Sequence, residues 1–274
     1  MFSFKKALAL ILVSAILMLS TAACAKTDAP LENTTADKDS TVAAFQTTLS
    51  TTEVDATDEV ESTTAGIEET TTKTFTSTQE LVDFFNTAAN KIKTEASKVT
   101  KNYEKRKTGE IVVPKSLQST AEKLLASAMK DDTDPIVYTG SEEISAEFPV
   151  PEQSYVSRLS ADTVEKSSFT EKEDYYEIYF KLKDEKSPRA GKGVGAVCDV
   201  IEAHEVAQKA PSFVKELSTY YYDCEIKAKI DKESGRITHI TYSTPVTLSV
   251  TVEMFGTHDA TVQFTFIKDY TITY

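Results

Sequence analysis

The sequence contains no tryptophan, and it has three cysteines and three histidines among 274 residues. Protein zinc sites are built mainly from clustered cysteines and histidines, and no such cluster is present. A Ser–His–Asp enzyme needs a histidine held beside its serine, and none of the three histidines lies in a nucleophile motif. The three, all predicted to be solvated, are His204, His239 and His258. The composition therefore predicts no metal site, no cofactor and no catalytic residue.

Positive charge is also scarce. The chain has 30 lysines and arginines against 43 aspartates and glutamates, which gives a formal net charge of −13. Proteins that bind nucleic acid or dock on anionic lipid gather basic residues on one surface. An acidic domain without basic clusters therefore predicts that the protein has no nucleic-acid partner.

Several short patterns match enzyme or ion-binding motifs only in part. Residues 127–130 fit S-x-x-K and residues 107–109 fit K-T-G, a pair that serine penicillin-binding enzymes carry in the opposite order. Residues 212–215 repeat S-x-x-K, which shows how common the pattern is. The aspartates of 131–134 lack the loop of a calcium-binding EF-hand, and the glycines of 191–195 lack the GK[ST] ending of a phosphate loop. We therefore predict that the protein is not an enzyme.

The first 24 residues have the pattern of a secretory signal. Lys5 and Lys6 make a short basic start, residues 7–19 are apolar, residues 20–23 are small, and Cys24 follows. The apolar run is shorter than the roughly 20 residues that a membrane-spanning helix needs. The pattern predicts that the chain is exported.

The segment Thr21-Ala22-Ala23-Cys24 resembles the lipobox of bacterial lipoproteins, although Thr21 stands where that family usually has leucine. The resemblance implies that the chain is cleaved before Cys24 and that a lipid is attached to the Cys24 thiol. The protein would then be held by this lipid anchor on the outer face of the cell membrane. The alternative is ordinary cleavage after Ala25 and secretion, because Ala23-Cys24-Ala25 also has a small-x-small pattern.

Residues 25–74 are rich in threonine and acidic residues. They contain three lysines against eleven aspartates and glutamates, so they carry a charge of −8, and they include one phenylalanine and no tyrosine. Such a segment buries too little apolar surface to offset the entropy lost on ordering. We expect a disordered tether with an end-to-end distance on the order of 40 Å.

Residues 75–274 contain nearly all the aromatic residues and are predicted to form a single α+β domain. Ser77 and Glu80 make a capping-box pattern before a helical apolar stripe, and a second helix is predicted over 116–130. Between them, residues 97–114 are predicted to form β segments around a Thr108-Gly109 turn. The stretch 196–210 is predicted to be partly helical.

The rest of the domain is predicted to be mostly strand, because apolar and polar residues alternate with a period of two. Short turns between successive strands indicate an antiparallel meander that two or three helices cover. One form of such a sheet is a curved half-barrel. The predicted strands are 144–148, 164–169, 175–183, 220–231, 237–242, 246–254, 260–266 and 270–274.

Three consecutive tyrosines begin the strand predicted over 220–231. Its alternation places Tyr220 and Tyr222 in the core with Cys224, and it turns Tyr221 outward. Exposed aromatic rows often bind carbohydrate, so the tyrosines also raise the alternative of a glycan-binding surface.

Two cysteines remain in the domain if Cys24 carries lipid. Cys198 and Cys224 are an even pair in an exported chain, which makes a disulfide between them a candidate. The bond would close a loop of roughly 25 residues and contribute about 3 kcal/mol. The alternative is two buried thiols.

A helix followed by an antiparallel sheet on a tethered, exported chain resembles the uncharacterised surface lipoproteins of low-GC Gram-positive bacteria. The stretches 86–93 and 231–237 carry this resemblance. More distantly, the architecture is similar to half-barrel lipid-carrier lipoproteins, whose curved sheet encloses an apolar cavity. The resemblance implies a non-enzymatic lipoprotein that binds an apolar or amphipathic ligand or a surface protein. The alternatives are a cell-wall or glycan-associated module and an enzyme of unrecognised type.

Overall fold

The structure, a computed structural model, describes residues 73–115, 118–148, 157–210, 212–253 and 256–274. The predicted signal, Cys24 and all but the last two residues of the predicted tether lie outside the described residues. The described residues from Thr74 onward belong to one compact unit.

Nine strands within the described residues form one antiparallel sheet, which confirms the predicted α+β class with a dominant antiparallel sheet. The strand order is β2-β1-β9-β8-β7-β4-β3, so the sheet is open rather than closed into a barrel. Strand β6 pairs with the second half of β8, and β5 pairs with β6. The strands are β1 (Lys98–Val112), β2 (Ile136–Thr139), β3 (Val164–Glu171), β4 (Tyr175–Leu182), β5 (Glu185–Lys186), β6 (Val214–Tyr221), β7 (Glu225–Asp231), β8 (Ile237–Glu253) and β9 (Thr257–Thr273).

The two longest strands, β8 and β9, show how the sequence pattern builds the sheet. Four short predicted strands become two strands of 17 residues each, the first ending at Glu253 and the second beginning at Thr257. Every second side chain is buried, as the period of two requires. The buried members are Ile240, Tyr242, Thr244, Val246, Leu248, Val250 and Val252 in β8, and Ala260, Val262, Phe264, Phe266, Lys268, Tyr270 and Ile272 in β9.

Four α-helices are present among the described residues, one more than the upper number predicted. The first begins as predicted, because the Ser77 hydroxyl accepts the Glu80 amide N–H at 3.2 Å. Apolar residues at helical spacing then pack onto the sheet, and the Phe85 ring meets Phe180 of β4 edge-on at 5.4 Å. The helices are α1 (Thr78–Glu95), α2 (Gln118–Ala128), α3 (Ser141–Glu147) and α4 (Ala203–Lys209).

We call the helix-covered face of the sheet the inner face and the opposite face the outer face. Phe85 of α1 and Phe148 at the end of α3 are almost fully buried against the inner face. The Phe148 ring meets the ring of Tyr270 in β9 at 4.8 Å. The core therefore lies between the helices and this face.

The prediction of a strand over 144–148 is wrong, because α3 occupies this region. Ile144 and Phe148 are 0% and 1% exposed. Residues four apart share one helical face, and they also share one strand face, so a five-residue window fits both periods.

The prediction of a turn at Thr108-Gly109 is also wrong, because β1 continues through both residues. The pairing of β1 with β9 instead shifts register between Thr108 and Ile111. A glycine inside a strand often marks such a bulge, since a bulge needs an extra residue and little side-chain volume. The nearest neighbour of Gly109 is the Gln263 side chain.

The orientation predicted for the three tyrosines is reversed. Strand β6 ends at Tyr221, and a bend with Asp223 at φ 47° separates it from β7. The bend shifts the alternation by one residue, so Tyr221 is 0% exposed and Tyr220 is 44% exposed. Cys224 is buried as predicted.

A buried network of charged side chains joins the inner face to its covering elements. Lys101 Nζ lies 3.8 Å from both Glu104 and Glu147 of α3. Lys268 Nζ of β9 lies 4.0 Å from Glu104 and 3.5 Å from Asp199. These side chains are at most 14% exposed. Buried charges are tolerated only in such pairs, so the network fixes β1, β9, α3 and the loop at Asp199 together.

Candidate functional site

The outer face of the sheet carries a groove of roughly 380 Å³ that is built from side chains of four neighbouring strands. Two rows of side chains cross β3, β4, β7 and β8, and directly opposed residues form each row. The first row is Thr170, Glu177, Lys229 and His239; the second is Ser168, Tyr179, Lys227 and Thr241.

The strand geometry explains why these eight residues converge. Within each strand the two members are two residues apart, so both side chains point to the same face. The two rows are then roughly 7 Å apart, and each row spans about 14 Å across four strands. The groove is therefore large enough for one or two units of a sugar or peptide chain.

A histidine–aspartate pair closes the β8 end of the groove. His239 Nε2 lies 3.1 Å from Asp269 Oδ2, and Asp269 continues the second row next to Thr241. The same carboxylate accepts hydrogen bonds from the Thr241 hydroxyl at 2.8 Å and from Asn102 Nδ2 at 2.7 Å. Asp269 is only 7% exposed, so these donors satisfy a buried charge and hold the imidazole in place.

The predicted solvation of His239 is therefore only partly right, because one ring nitrogen is bonded to a buried carboxylate. A carboxylate only accepts hydrogen bonds, so the ring nitrogen that faces Asp269, Nε2, is the donor of this contact. The Thr241 hydroxyl donates to Asp269 and not to the imidazole. Among the described residues, no hydroxyl is bonded to His239 as a nucleophile would be.

The tyrosine in the groove is held by a hydrogen bond and by a neighbouring cation. The Tyr179 hydroxyl donates to Glu225 at 2.9 Å. Burial and the Glu225 carboxylate together raise the pKa of Tyr179, so its phenol stays neutral. Lys227 Nζ lies 5.6 Å from the ring centroid of Tyr179 and 3.2 Å from Glu225. The ring is thereby fixed as an apolar wall among polar groups.

The charged residues of the first row differ in their partners. Glu177 is paired with Lys172, at 3.7 Å. Lys229 Nζ lies 5.0 Å above the ring of Tyr175, and no carboxylate of a described residue lies within 4.0 Å of it. The groove therefore contains a cation that a ring holds in place and that forms no ion pair with a described carboxylate, although Glu177 lies opposite it on the neighbouring strand.

Cys198 and Cys224, the candidate disulfide pair, are buried in the core and at most 2% exposed. Both side chains interact electrostatically with the hydroxyl of Tyr221. This hydroxyl accepts the Ile201 amide N–H at 2.7 Å. Burial raises the pKa of Tyr221 well above its usual range. A disulfide between the two cysteines stays a prediction.

Of the described residues, one group offers converging metal ligands. The donor atoms of Glu202, His204 and Glu205 lie within 4.8 Å of one another. Glu202 is 8% exposed, and its carboxylate already accepts the Ala190 amide N–H at 2.7 Å. His204 is exposed, as predicted. These residues lie at the beginning of α4, and we assign no function to the group.

The aspartates of 131–134 pair with the backbone of β1. The Asp131 carboxylate accepts the Arg106 amide N–H at 2.7 Å. Asp132 and Glu104 exchange two backbone hydrogen bonds, at 2.7 and 2.8 Å. These residues therefore form hydrogen bonds with backbone groups of β1, which is a structural role.

The sequence did not indicate the groove, because its residues belong to the polar sides of strands that are distant in sequence. Strand β4 pairs with β7, with β5 and β6 between them in the chain. The predicted meander, in which consecutive strands are neighbours, is thus wrong at this point. The register of β4 with β7 was the missing information.

The chain was compared with known proteins, and no protein-family model, curated sequence or solved structure matches it. Within the part of the chain that the structure describes, no helix has both the length and the apolar character to span a membrane.

Proposed function

We propose that the protein is a membrane-anchored extracellular binding module that holds a cell-wall glycan in the outer-face groove. The observation that carries the proposal is the composition of the groove, which combines a fixed tyrosine ring with hydroxyls, an imidazole and charged groups. Glycan sites commonly combine a ring face for the apolar side of a sugar with polar groups for its hydroxyls. The exported, tethered sequence is consistent with a ligand outside the cell.

The apolar-ligand version of the function has less support from the geometry. A lipid carrier needs apolar space between the sheet and its helices. Large side chains such as Phe85, Phe180 and Phe264 are 0% exposed in that region, and they make ring contacts there. The groove lies on the opposite face and has polar groups along both rows.

We expect Tyr179→Ala to weaken retention on peptidoglycan sacculi and chitin by about tenfold, because it removes the ring that a sugar would stack on. The measurement is a sedimentation assay of the full chain against each insoluble polysaccharide, with the bound fraction followed over polysaccharide concentration.

Tyr220→Ala is the matched control. Tyr220 lies on the outer face of β6 outside the groove, and its hydroxyl also donates to a carboxylate, Asp184, at 2.7 Å. It should leave retention unchanged if the groove, and not the stacked pair of Tyr220 and Tyr222, holds the glycan. Absence of retention by the unaltered chain, or equal losses in both variants, would contradict the proposal.

The membrane anchor has a separate test. In cells that export the chain, Cys24→Ser should move the protein from the membrane fraction to the medium, because the thiol that carries the lipid is lost. Mass spectrometry of the unaltered protein should show a lipid on an N-terminal Cys24. A free amine at Ala25 or Lys26 would instead support cleavage after the small-x-small pattern and secretion.

A further inference from the structure

The groove offers hydrogen-bond donors that the described residues leave unused. The Lys229 ammonium group has only the Tyr175 ring as a partner among them. The hydroxyls of Ser168 and Thr170 make no hydrogen bond to another described side chain or backbone group. The carboxylate in the groove, Glu177, is paired with Lys172. A ligand that matches these groups has to supply acceptors.

The positions of these donors follow from the register. Thr170 and Lys229 both flank Glu177 in the first row, and Ser168 lies next to Thr170 in the second row. Adjacent strands are about 4.8 Å apart, so Thr170 and Lys229 are separated by roughly 10 Å at the backbone. Glu177 occupies the position between them, so an anionic group has to approach Lys229 from the side of His239. The hydroxyls of Ser168 and Thr170 donate to neutral ligand oxygens.

The net charge of −13 repels anions, so an anionic ligand needs a local cation. Two other lysines of the outer face, Lys181 and Lys227, are already paired with carboxylates. Lys181 pairs with Glu165 and Asp223, and Lys232 pairs with Glu171. Lys229 is an exception, and it lies inside the groove. An unpaired ammonium in a concave polar site is suited to a phosphate or carboxylate oxygen.

We infer that the groove selects an anionic glycan, a polyhydroxyl chain that carries phosphodiester or carboxylate groups, with Lys229 as the residue that holds the anion. This inference rests on the proposed function, because it assigns a ligand class to the same groove. Tyr179 contacts the sugar or polyol carbons, and the hydroxyls of Ser168 and Thr170 donate to the ligand oxygens.

The test measures binding of three soluble polymers to the full chain, purified in detergent: neutral dextran, poly(glycerol phosphate) and polygalacturonate. We expect at least one anionic polymer to bind about tenfold more tightly than dextran. Lys229→Gln should remove that preference, since it replaces a charge-assisted contact by a neutral one. The phosphodiester and carboxylate polymers distinguish the two sources of negative charge.

Lys183→Gln is the matched control, because it makes the same change in net charge at an exposed lysine. Lys183 lies six residues beyond Glu177, so it is roughly 20 Å along the strand direction from the position opposite Lys229. The control should keep the preference for the anionic polymer. Thermal unfolding of both variants checks that the fold is intact.

Two outcomes would overturn the inference and leave glycan binding standing: equal binding of dextran and both anionic polymers, or equal losses in Lys229→Gln and Lys183→Gln. The second outcome would mean that net charge, not the groove, sets the preference. If none of the three polymers binds and the chain is also not retained on sacculi or chitin, both the inference and the proposed function fail.

Discussion

Lys268→Ala should lower the free energy of unfolding by about 3–5 kcal/mol, because it removes a buried cation that lies between the carboxylates of Asp199 and Glu104. Lys268 Nζ lies 3.5 Å from Asp199 and 4.0 Å from Glu104. Burial by itself lowers the pKa of Lys268, but Asp199, Glu104 and Glu147 together outweigh it and raise the pKa. The lysine is therefore charged in the folded protein, and its loss uncovers a buried negative charge.

Urea denaturation followed by circular dichroism measures the effect, and for a domain of this size it corresponds to a fall in Tm of about 10 °C. Lys215→Ala is the control, since Lys215 pairs with Glu253 at 2.9 Å but both side chains are more than half exposed. That variant should lose less than about 1 kcal/mol. Adding Asp199→Asn to Lys268→Ala should recover part of the loss. A Lys268→Ala variant as stable as the Lys215 control would show that the network is not important for stability.

Stability should also fall steeply above pH 10. Burial raises the pKa values of Tyr221 and Tyr270 well above the usual range, and the Glu147 carboxylate adds to the effect at Tyr270. The pKa of Lys268 is raised as well. Each group keeps its proton in the folded protein at a pH where the unfolded chain has lost it.

The sign follows from proton linkage. When the folded state binds more protons than the unfolded state, the free energy of unfolding decreases as the pH rises. The contribution of these groups is complete below about pH 10, the ordinary pKa of tyrosine, and is lost as the pH approaches their folded values. Three groups together give a decrease of up to about 4 kcal/mol per pH unit.

Urea denaturation at pH 8, 9, 10 and 11 measures this decrease. In the double variant Tyr221→Phe and Tyr270→Phe, the free energy of unfolding should fall less steeply with pH, because phenylalanine cannot ionise and the contribution of two protons is lost. This variant should also lose some stability at neutral pH, since the Tyr270 hydroxyl donates to Glu147 at 2.6 Å. Tyr222→Phe, at a half-buried surface position, is the control and should keep the steep slope. Equal slopes in all three proteins would contradict the prediction.

The parts of the fold that the sequence predicted correctly are those with long, regular periodicity. Helix α1 begins at the predicted cap, and the alternating residues of β8 and β9 are buried as expected. The errors lie where a window is short or where the chain bends. Residues 144–148 fit the helical period and the strand period equally. The bend at Asp223 shifts the alternation of buried and exposed residues between β6 and β7. A shift of this alternation by one residue is enough to exchange the buried and the exposed tyrosines.

The candidate groove needed the tertiary structure for a different reason. Two of its residues, Lys227 and Lys229, were correctly predicted to lie on the charged side of a strand. A polar side chain on one strand has no identifiable neighbours until the pairing of strands is known. The pairing of β4 with β7 brings Glu177 opposite Lys229 and Tyr179 opposite Lys227.

The sequence by itself determined the class of the fold, because composition and periodicity are local properties, and it predicts a signal and an acidic tether before the domain. It also provided the alternation that separates the two faces of the sheet. Only the tertiary structure decided which strands are neighbours, and therefore which polar groups share a site. The buried network around Lys268 and the pair His239–Asp269 both join residues from different elements. Such contacts depend on register and crossing connections, and these are set by packing of the whole core.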